Sequence, residues 1–592
     1  MYQKLKYPFS LVNSLAVLIL LVALFFPLSA KAQTQDIVNQ QDWITRQQQI
    51  KIEKNRRLRE QKAISKEKTR KEKEVKAEEA TSISAKPVEC FSIKTINLVG
   101  ANSISKRQQK KLLKLFIGQC SEPKILAEVI ATIKAYYEDR GYIATGVSLS
   151  EQNSQGGDLE LKVSEEKIDK IIINDNSFTD KMQQFTAFGN IEGDALNLKD
   201  LDQGVSQMNR LSSNNASIKK LASSAKEGEA IVYIANEKSF PANATIGYDS
   251  LGNEYTGVYR TSFSGEIDNL LFLNDALNLS YTANLNSDRK VKDNKAFTGD
   301  FSIPFGYNTF TYDYSRSEFM RVLDIGTATG YSNSNSFTID RVLTKKGDFT
   351  ISGDGSLTTK SAASYLDHQK IDISERKLTI ASIEFALSNS FKNGTSLYVK
   401  PTYSRGLKIL DAKKDNQDLS SNSPRAQFER FKLYATLSKK ITIPKLEIPV
   451  LLATEMDSQF SNDVLFGSEQ FSVGGYYSVR GFRDSYLTGD TGYYFRNSAD
   501  FNVGSLIRPF NSQYWAYLNK FKIEPFYDYG YAQIKHSGNS GRLAGAGVKT
   551  IFESKYFNAS LTYSAVTSRS QLLSSSNKEN KIIYFEISAS CC

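Results

Sequence analysis

Cysteine and histidine are the side chains of this sequence best able to do chemistry, and they are few. The 592 residues include four cysteines and two histidines. Cys90 and Cys120 bracket residues 91–119, and no histidine lies near either of them. Zinc binding is therefore disfavoured, and the pair favours a disulfide formed in an oxidising compartment, which would stabilise the fold by roughly 3 kcal/mol. The adjacent Cys591 and Cys592 suggest no role.

Catalytic constellations are missing from the sequence. Neither His368 nor His536 lies beside a nucleophile motif, so the sequence offers no recognisable catalytic triad. No phosphate-binding Gly-x-x-x-x-Gly-Lys-Ser/Thr occurs, and Gly545-Ala546-Gly547 falls in an alternating stretch where small residues relieve packing. The acidic residues 411–418 could bind calcium, although a solvated loop is the favoured interpretation. The sequence predicts no enzyme, no cofactor and no metal.

The start of the chain indicates export. Lys4 and Lys6 precede an apolar run, Leu15 to Leu28, and Ala30-Lys31-Ala32 follows. This pattern predicts a secretory signal peptide over 1–32, cleaved before Gln33. The alternative, an uncleaved membrane helix, is disfavoured because the run falls short of about 20 residues.

The net charge of +11 is concentrated near the N-terminus of the exported chain. Residues 51–86 contain 13 Lys and Arg against 7 Glu. An exported chain meets no nucleic acid in normal work, so a solvated helix or linker is favoured over a nucleic-acid patch. In residues 33–60 a few apolar side chains, among them Ile37, Trp43, Ile44, Ile50 and Leu58, interrupt Gln, Lys, Arg and Glu, and Gly and Pro are absent. This pattern predicts an amphipathic helix. Residues 61–88 are predicted to be a linker.

Two units with the same predicted order, β-α-α-β-β, follow at 89–166 and 167–238. In the first unit, Ser121 is predicted to cap the second helix, with Pro123 in its first turn. In the second unit, Leu201, Val205 and Met208 share one helix face. Its middle strand is uncertain because residues 212–217 are rich in Ser and Asn.

The period becomes two over residues 239–592. Segments 277–285, 383–387 and 557–565 each alternate apolar with polar side chains. A soluble sandwich would also alternate. Persistence over some 350 residues, aromatics near strand ends and long polar loops between short turns favour a transmembrane β-barrel. The chain is rich in aromatics, with 34 Phe and 31 Tyr, yet has a mean hydropathy of −0.38.

Two motifs in this region resemble signatures of the outer-membrane POTRA–barrel superfamily. Residues 471–482 end in Val479-Arg480-Gly481-Phe482, and residues 526–530 read Phe526-Tyr-Asp528-Tyr-Gly530. The N-terminal half resembles the paired POTRA domains of two-partner secretion transporters, the TpsB family of haemolysin and filamentous-adhesin secretion. Residues 90–96, 118–120, 140–142 and 156–159 carry the first part of this likeness, and 198–211 the second.

The resemblance implies a mainly β fold: a 16-stranded antiparallel transmembrane barrel, an N-terminal helix that can sit in the pore, and two POTRA domains in the periplasm. It also implies a mechanism in which the loop bearing Arg480 folds back into the barrel and Arg480 reaches Asp528. The implied partners are an unfolded exoprotein of the haemolysin or adhesin kind, bound by the POTRA domains, and outer-membrane lipid, with the transporter a monomer.

Other interpretations of the sequence remain. The helix 33–60 is interpreted as a plug or gate, with a disordered tail as the alternative. Within transport, an assembly factor that inserts other barrels is the runner-up, although such relatives usually carry more POTRA units. A passive porin or an adhesin barrel would need neither the Val-Arg-Gly-Phe loop nor a POTRA pair.

Overall fold

The structure, a computed structural model, describes residues 34–61, 92–150, 157–285, 290–444, 447–507, 518–535, 538–573 and 579–591. The predicted signal peptide 1–32, most of the predicted linker 61–88, Cys90, His536 and Cys592 lie outside the described residues. Within the described ranges, no helix is long and apolar enough to cross a bilayer.

The first described element is a helix, α1, over residues 34–61. No Gly or Pro interrupts it, and its Gln, Lys, Arg and Glu residues are good helix formers. At 1.5 Å per residue it is about 42 Å long. Such a helix can cross the whole height of a membrane-embedded barrel.

Two small units with one topology follow α1. The first comprises β1 (Thr95–Val99), α2 (Lys106–Leu113), α3 (Pro123–Asp139), β2 (Thr145–Leu149) and β3 (Asp158–Glu165). The second comprises β4 (Lys167–Ile173), α4 (Phe178–Phe188), α5 (Leu198–Asn209), β5 (Asn214–Ser223) and β6 (Glu229–Lys238). The sheet orders, β1-β3-β2 and β4-β6-β5, are equivalent, with a parallel pair followed by an antiparallel pair. The β-α-α-β-β repeat is therefore present. Strand β5, the second strand of the second unit in chain order, is the one that the sequence left uncertain.

Each unit has its own apolar core under the helices. In the first, Val129, Ile133 and Tyr137 of α3 are fully buried against β3. In the second, Leu201 and Val205 of α5 take the same position. Burying one such side chain contributes about 1.5–3 kcal/mol. The predicted cap at Ser121 is wrong, because the N-cap position is Glu122 and its side chain makes no capping hydrogen bond.

The remaining chain forms a closed antiparallel barrel of 16 strands. Closure follows from the pairing of the last strand with the first, for example Ile587 opposite Tyr248. The two-residue β14 extends only the tip of β13. The elements are β7 (Ala242–Asp249), β8 (Arg260–Asp268), β9 (Ala276–Asn284), β10 (Lys292–Phe305), β11 (Asn308–Leu323), β12 (Gly326–Lys346), β13 (Phe349–Leu366), β14 (Gln369–Lys370), β15 (Arg376–Ser390), β16 (Thr395–Leu407), β17 (Glu429–Ile443), β18 (Ile448–Phe460), β19 (Phe471–Val473), β20 (Leu487–Gly489), β21 (Thr491–Asn502), α6 (Val503–Ile507), β22 (Phe521–Gln533), β23 (Ser540–Glu553), β24 (Phe557–Ser568) and β25 (Lys581–Cys591). Strands β19 and β20 form a separate hairpin.

The alternation in sequence becomes an apolar outside and a polar inside. On β15, Ile383 and Phe385 stay exposed on the outer surface, whereas Glu384 between them points inward to an arginine of α1. On β9, Leu279 and Tyr281 are likewise exposed, and Thr282 contacts α1. A lipid-facing barrel with a wet interior requires this pattern.

The two ends of the barrel differ. The turns after β8 and β10 contact the second small unit through Asn274 and Gly306. The opposite end carries long connections, among them residues 408–428 and 461–490. The chain therefore enters the barrel wall at the end where the small units lie.

Candidate functional site

The lumen holds two elements that are not part of the barrel wall. One is the connection 461–490 between β18 and β21, which turns back inside the barrel and carries the hairpin β19–β20. It lies against the inner wall formed by β21 to β25. The other is α1, which contacts strands from β9 to β18 and packs on the hairpin connection, where Trp43 lies 5.9 Å from Tyr486. These two elements define the candidate site.

An apolar cluster fixes the hairpin to the wall. Val479 and Phe482, both predicted site residues, are fully buried. They join Phe471, Val473 and Leu487 of the hairpin, and Tyr494, Ala532 and Leu543 of the wall. The hydroxyl of Tyr584 on β25 donates to the carbonyl of Phe482 at 3.0 Å. Apolar burial therefore holds the hairpin against the barrel wall.

Arg480 and Asp528 are brought together as the resemblance implies. The guanidinium donates Nε to Oδ2 at 2.7 Å and Nη2 to Oδ1 at 2.8 Å, which is a two-pronged contact. The backbone N–H of Arg480 donates to the same carboxylate at 3.0 Å. Arg480 is 2% exposed and Asp528 is 0% exposed. A planar guanidinium paired in this way fixes both distance and direction.

Two further groups complete the surroundings of the guanidinium. Phe526, in the predicted motif, lies under it with 3.4 Å between the guanidinium carbon and the ring centre, a cation–π contact. Glu524 accepts from Nη1 at 3.1 Å. Glu524 lies two residues before the predicted motif and was missed by sequence reasoning, although its position on the same face of β22 as Phe526 and Asp528 was a usable signal.

Small residues make room for the hairpin. Gly481 has φ +107, which only glycine adopts without strain. A Cβ on Gly530 would lie 2.3 Å from Cγ1 of Val473, and one on Gly545 would lie 1.8 Å from the carbonyl oxygen of Arg480. Gly545, interpreted from sequence only as a small residue in a strand, therefore marks where the Arg480 backbone touches the wall.

The first half of α1 is seated by apolar contacts. Ile37 and Ile44 are buried against Phe319 and Ala328, near the end of the barrel remote from the small units. Asp42 lies 3.5 Å from Arg376. Arg46 donates to the carbonyl of Gly467 in the hairpin connection, and Gln41 accepts from Ser364.

The second half of α1 is held by ion pairs deeper in the lumen. Arg56 lies 3.0 Å from Asp354, Arg57 3.1 Å from Asp457, and Arg59 2.8 Å from Asp300. Glu60 pairs with Lys400 at 3.2 Å, and Glu53 pairs with Lys432 at 3.1 Å. The basic stretch noted in the sequence thus meets an acidic inner wall, and α1 fills the pore.

The second small unit is docked on the barrel end. Arg210 donates to the hydroxyl of Ser302 at 2.7 Å and to the carbonyl of Asn274 at 2.6 Å. Asn274, which is 0% exposed, donates to Thr186 at 2.9 Å. Nearby, burial raises the pKa of Asp180, but hydrogen bonds from Ser177 and Lys238 outweigh burial and hold that pKa below its ordinary value.

The remaining predicted residues are placed as follows. Cys120 is disulfide-bonded, and Cys90, its predicted partner, lies outside the described residues. Cys591 is a free, exposed thiol. His368 lies in the loop after β13, with φ +69. Over the part of the chain that the structure describes, no three His, Cys, Asp or Glu side chains are grouped to hold a metal ion.

Family models cover both halves of the chain. The model described as haemolysin secretion/activation protein ShlB/FhaC/HecB matches residues 228–550. A ShlB-type POTRA domain matches residues 91–166, and a second POTRA model matches residues 167–220. The two β-α-α-β-β units are therefore POTRA domains.

Relatives of known name match most of the chain. The outer membrane transporter CdiB of Dickeya dadantii is 30% identical over 421 residues, which are 70% of this chain and 73% of that protein. The hemolysin transporter protein ShlB of Serratia marcescens is 27% identical over 441 residues, 74% of this chain and 77% of that protein. The solved structure of CdiB from Escherichia coli shares the fold, with a TM-score of 0.75, 24% identity, and coverage of 93% of this chain and 98% of that one.

The closed barrel and paired POTRA domains define an outer-membrane transporter whose POTRA domains lie in the periplasm. Within that class, the chain belongs to the haemolysin secretion/activation protein ShlB/FhaC/HecB family and is a two-partner secretion transporter. The barrel end that contacts the second POTRA domain is consequently periplasmic, and the first half of α1 lies near the extracellular end.

Proposed function

We propose that this protein exports an unfolded exoprotein, captured by the POTRA domains and passed through the lumen after α1 leaves it. The observation that carries the proposal is the content of the lumen. A helix that is not part of the wall fills it, and side-chain ion pairs hold the helix's inner half. Because α1 is held by side-chain contacts and shares no strand pairing with the barrel wall, it can be displaced while the barrel stays closed.

The names of the relatives support the class of cargo. Proteins named CdiB transporters and hemolysin transporters are similar over 70% or more of this chain. We infer a large exoprotein of the haemolysin or adhesin kind. We further propose that the transporter acts as a monomer, since the strands of one chain complete the pore without a second copy, and that it catalyses no covalent step.

The POTRA sheets offer edges on which an unfolded chain can dock. In the first domain, β2 lies at the edge of the order β1-β3-β2. The residues that flank β2, Ala144 and Ser150, form backbone hydrogen bonds with Glu166 and Glu160 respectively. Because the bonding direction alternates along a strand, the N–H groups of Val147 and Leu149 face away from the sheet. An added strand would bond to these groups with little demand on sequence.

Export in this scheme needs no nucleotide. Folding of an exported domain outside the cell releases about 5–15 kcal/mol. This is enough to prevent return of the cargo through a passive pore.

The test is to lock α1 in the lumen. A Cβ built on Gly467 lies 3.1 Å from the Cβ of Asp42, slightly short of the 3.5–4.5 Å of ordinary disulfides. We expect the double variant Asp42→Cys/Gly467→Cys to form a crosslink that stops export of the cognate exoprotein, and a reductant to restore it. Secretion assays with and without dithiothreitol measure this.

The single variants Asp42→Cys and Gly467→Cys are the matched controls, since each changes the local contacts without a crosslink. If fully crosslinked protein exported the cargo as fast as uncrosslinked protein, the cargo would not need the space that α1 occupies. That outcome would contradict the proposal.

A further inference from the structure

Helix α4 of the second POTRA domain carries an unusual exposed face. Phe178 is 74% exposed and Phe185 is 51% exposed, and the exposed Lys181 lies between them. Positions separated by three and four residues share one side of a helix. The face therefore consists of two aromatic rings that flank a cation, in a domain whose core is already complete without them.

The turn between β8 and β9 has a similar surface. Leu270, Leu271 and Phe272 are consecutive and each about half exposed. The turn folds around the buried Asp275, whose carboxylate accepts from the N–H of Leu271 at 3.0 Å. The fold thus holds three large apolar side chains outward, which is unusual on a surface that faces only water.

Contacts with two barrel turns place the second half of α4 on the periplasmic rim of the barrel. The amide of Asn274, in the β8–β9 turn, donates to the carbonyl of Gln183 at 2.7 Å and to the hydroxyl of Thr186 at 2.9 Å. The carbonyl of Thr186 also accepts from the N–H of Gly306, in the next turn along the rim, at 3.0 Å. The second half of α4 therefore bridges two neighbouring turns at the level of the strand ends.

The exposed face of α4 is continuous with the lipid-facing wall. Phe305, at the periplasmic end of β10, is exposed on the outer surface of the barrel. The ring of Phe185 meets it edge to face, with centres 5.4 Å apart and planes at 67°. The aromatic band of the barrel therefore extends onto the POTRA domain.

We propose that this surface, formed by Phe178, Lys181 and Phe185 of α4 and by residues 270–272, is a membrane anchor seated in the periplasmic leaflet of the outer membrane. The aromatic and leucine side chains lie at the level of the lipid headgroups and upper acyl chains, and Lys181 pairs with lipid phosphate. Aromatic rings beside basic residues are typical of helices that lie in a membrane interface. The lipid surface thereby holds the second POTRA domain at a fixed orientation beneath the pore.

Tryptophan substitutions in the full-length protein test the anchor. The variants Phe178→Trp and Phe272→Trp are reconstituted separately in phosphatidylcholine–phosphatidylglycerol vesicles whose acyl chains are brominated near the headgroup. The emission of the two native tryptophans is measured on the unsubstituted protein and subtracted. We expect bromine to quench both new tryptophans as strongly as a Phe337→Trp variant on the lipid-facing surface of β12.

The matched control is Leu115→Trp, because Leu115 is 78% exposed on the first POTRA domain and away from the rim contacts. Quenching at 178 and 272 no stronger than at 115 would overturn the proposal. The proposal would also be overturned if bromine did not quench the tryptophans at 178 and 272 but their emission shifted when an unfolded segment of the exoprotein was added. That result would show that the surface binds cargo.

Discussion

At the residue scale, Arg480 uses nearly all of its bonding capacity. Its Nε, both terminal nitrogens and its backbone N–H each have a carboxylate partner, and the flat face of the guanidinium covers Phe526. Lysine has neither the forked geometry nor the flat face. The site therefore uses the forked, flat shape of arginine as well as its charge.

We expect Arg480→Ala to loosen the hairpin while the barrel stays in the membrane. Asp528 would be left buried without its hydrogen-bonded cation, at a cost of up to about 3–5 kcal/mol. Hydrogen exchange of residues 471–489 should rise and export of the exoprotein should fall. Heat-modifiable migration on gels checks that the barrel is intact.

The double variant Arg480→Met/Asp528→Asn is the control for the charge. Because it leaves no unpaired Asp528 carboxylate, it should destabilise the hairpin less than Arg480→Ala does. Unchanged export by Arg480→Ala would refute a working role for the hairpin.

At the element scale, the exposed edge of β2 is the expected site at which the cargo is captured. Leu149 is 50% exposed, and its N–H faces away from β3. Proline at such a position removes an unused donor and is tolerated at a sheet edge. We expect Leu149→Pro to weaken binding of an unfolded exoprotein segment, measured by calorimetry, with the first domain still folded.

Leu149→Ser is the matched variant, since it loses the same apolar side chain but keeps the N–H. If both variants weaken binding equally, the side chain and not strand addition holds the cargo. If neither weakens binding, β2 is not the capture edge.

The elements were largely predictable from sequence, because their signals are local. Alternation along segments such as 383–387 predicted which side chains face lipid, and the uninterrupted amphipathic pattern predicted the helix α1. The partners of α1 were not predictable. Arg57 meets Asp457 across 400 residues of sequence, and many acidic residues on the inner wall would have served equally well as candidates.

The candidate site was predictable only where a resemblance covered it. Arg480 and Asp528 were expected to meet, and they do, whereas Glu524 was missed because a carboxylate on an inward strand position has many possible roles. Likewise, the close approach of Gly545 to the Arg480 backbone depends on how deeply the hairpin enters the barrel, and local sequence carries no signal for that depth.

At the scale of the whole molecule, the second POTRA domain and the barrel behave as one docked unit. The contacts run through backbone groups and buried polar side chains of two barrel turns, not through a few surface charges. The position of this domain under the pore is therefore fixed by directional bonds, with the proposed lipid anchor on its outer side.

Asn274→Ala should weaken this docking. The substitution leaves the carbonyl of Gln183 and the hydroxyl of Thr186 without their buried donor, which costs about 1–3 kcal/mol. We expect faster hydrogen exchange in residues 178–189 and faster proteolytic release of the POTRA domains. The control is Lys219→Ala, at an exposed position on β5. Equal behaviour of the two variants would show that Asn274 does not hold the domain.

The covalent link between α1 and the first POTRA domain has a consequence for resealing. Residues 62–91 join the two, and at about 3.3 Å per residue they can reach no further than about 100 Å. Because this connection keeps α1 near its own barrel, α1 re-enters the lumen by an intramolecular step. The time the channel needs to shut after a cargo has passed should then be independent of how many copies of the protein share the cell envelope.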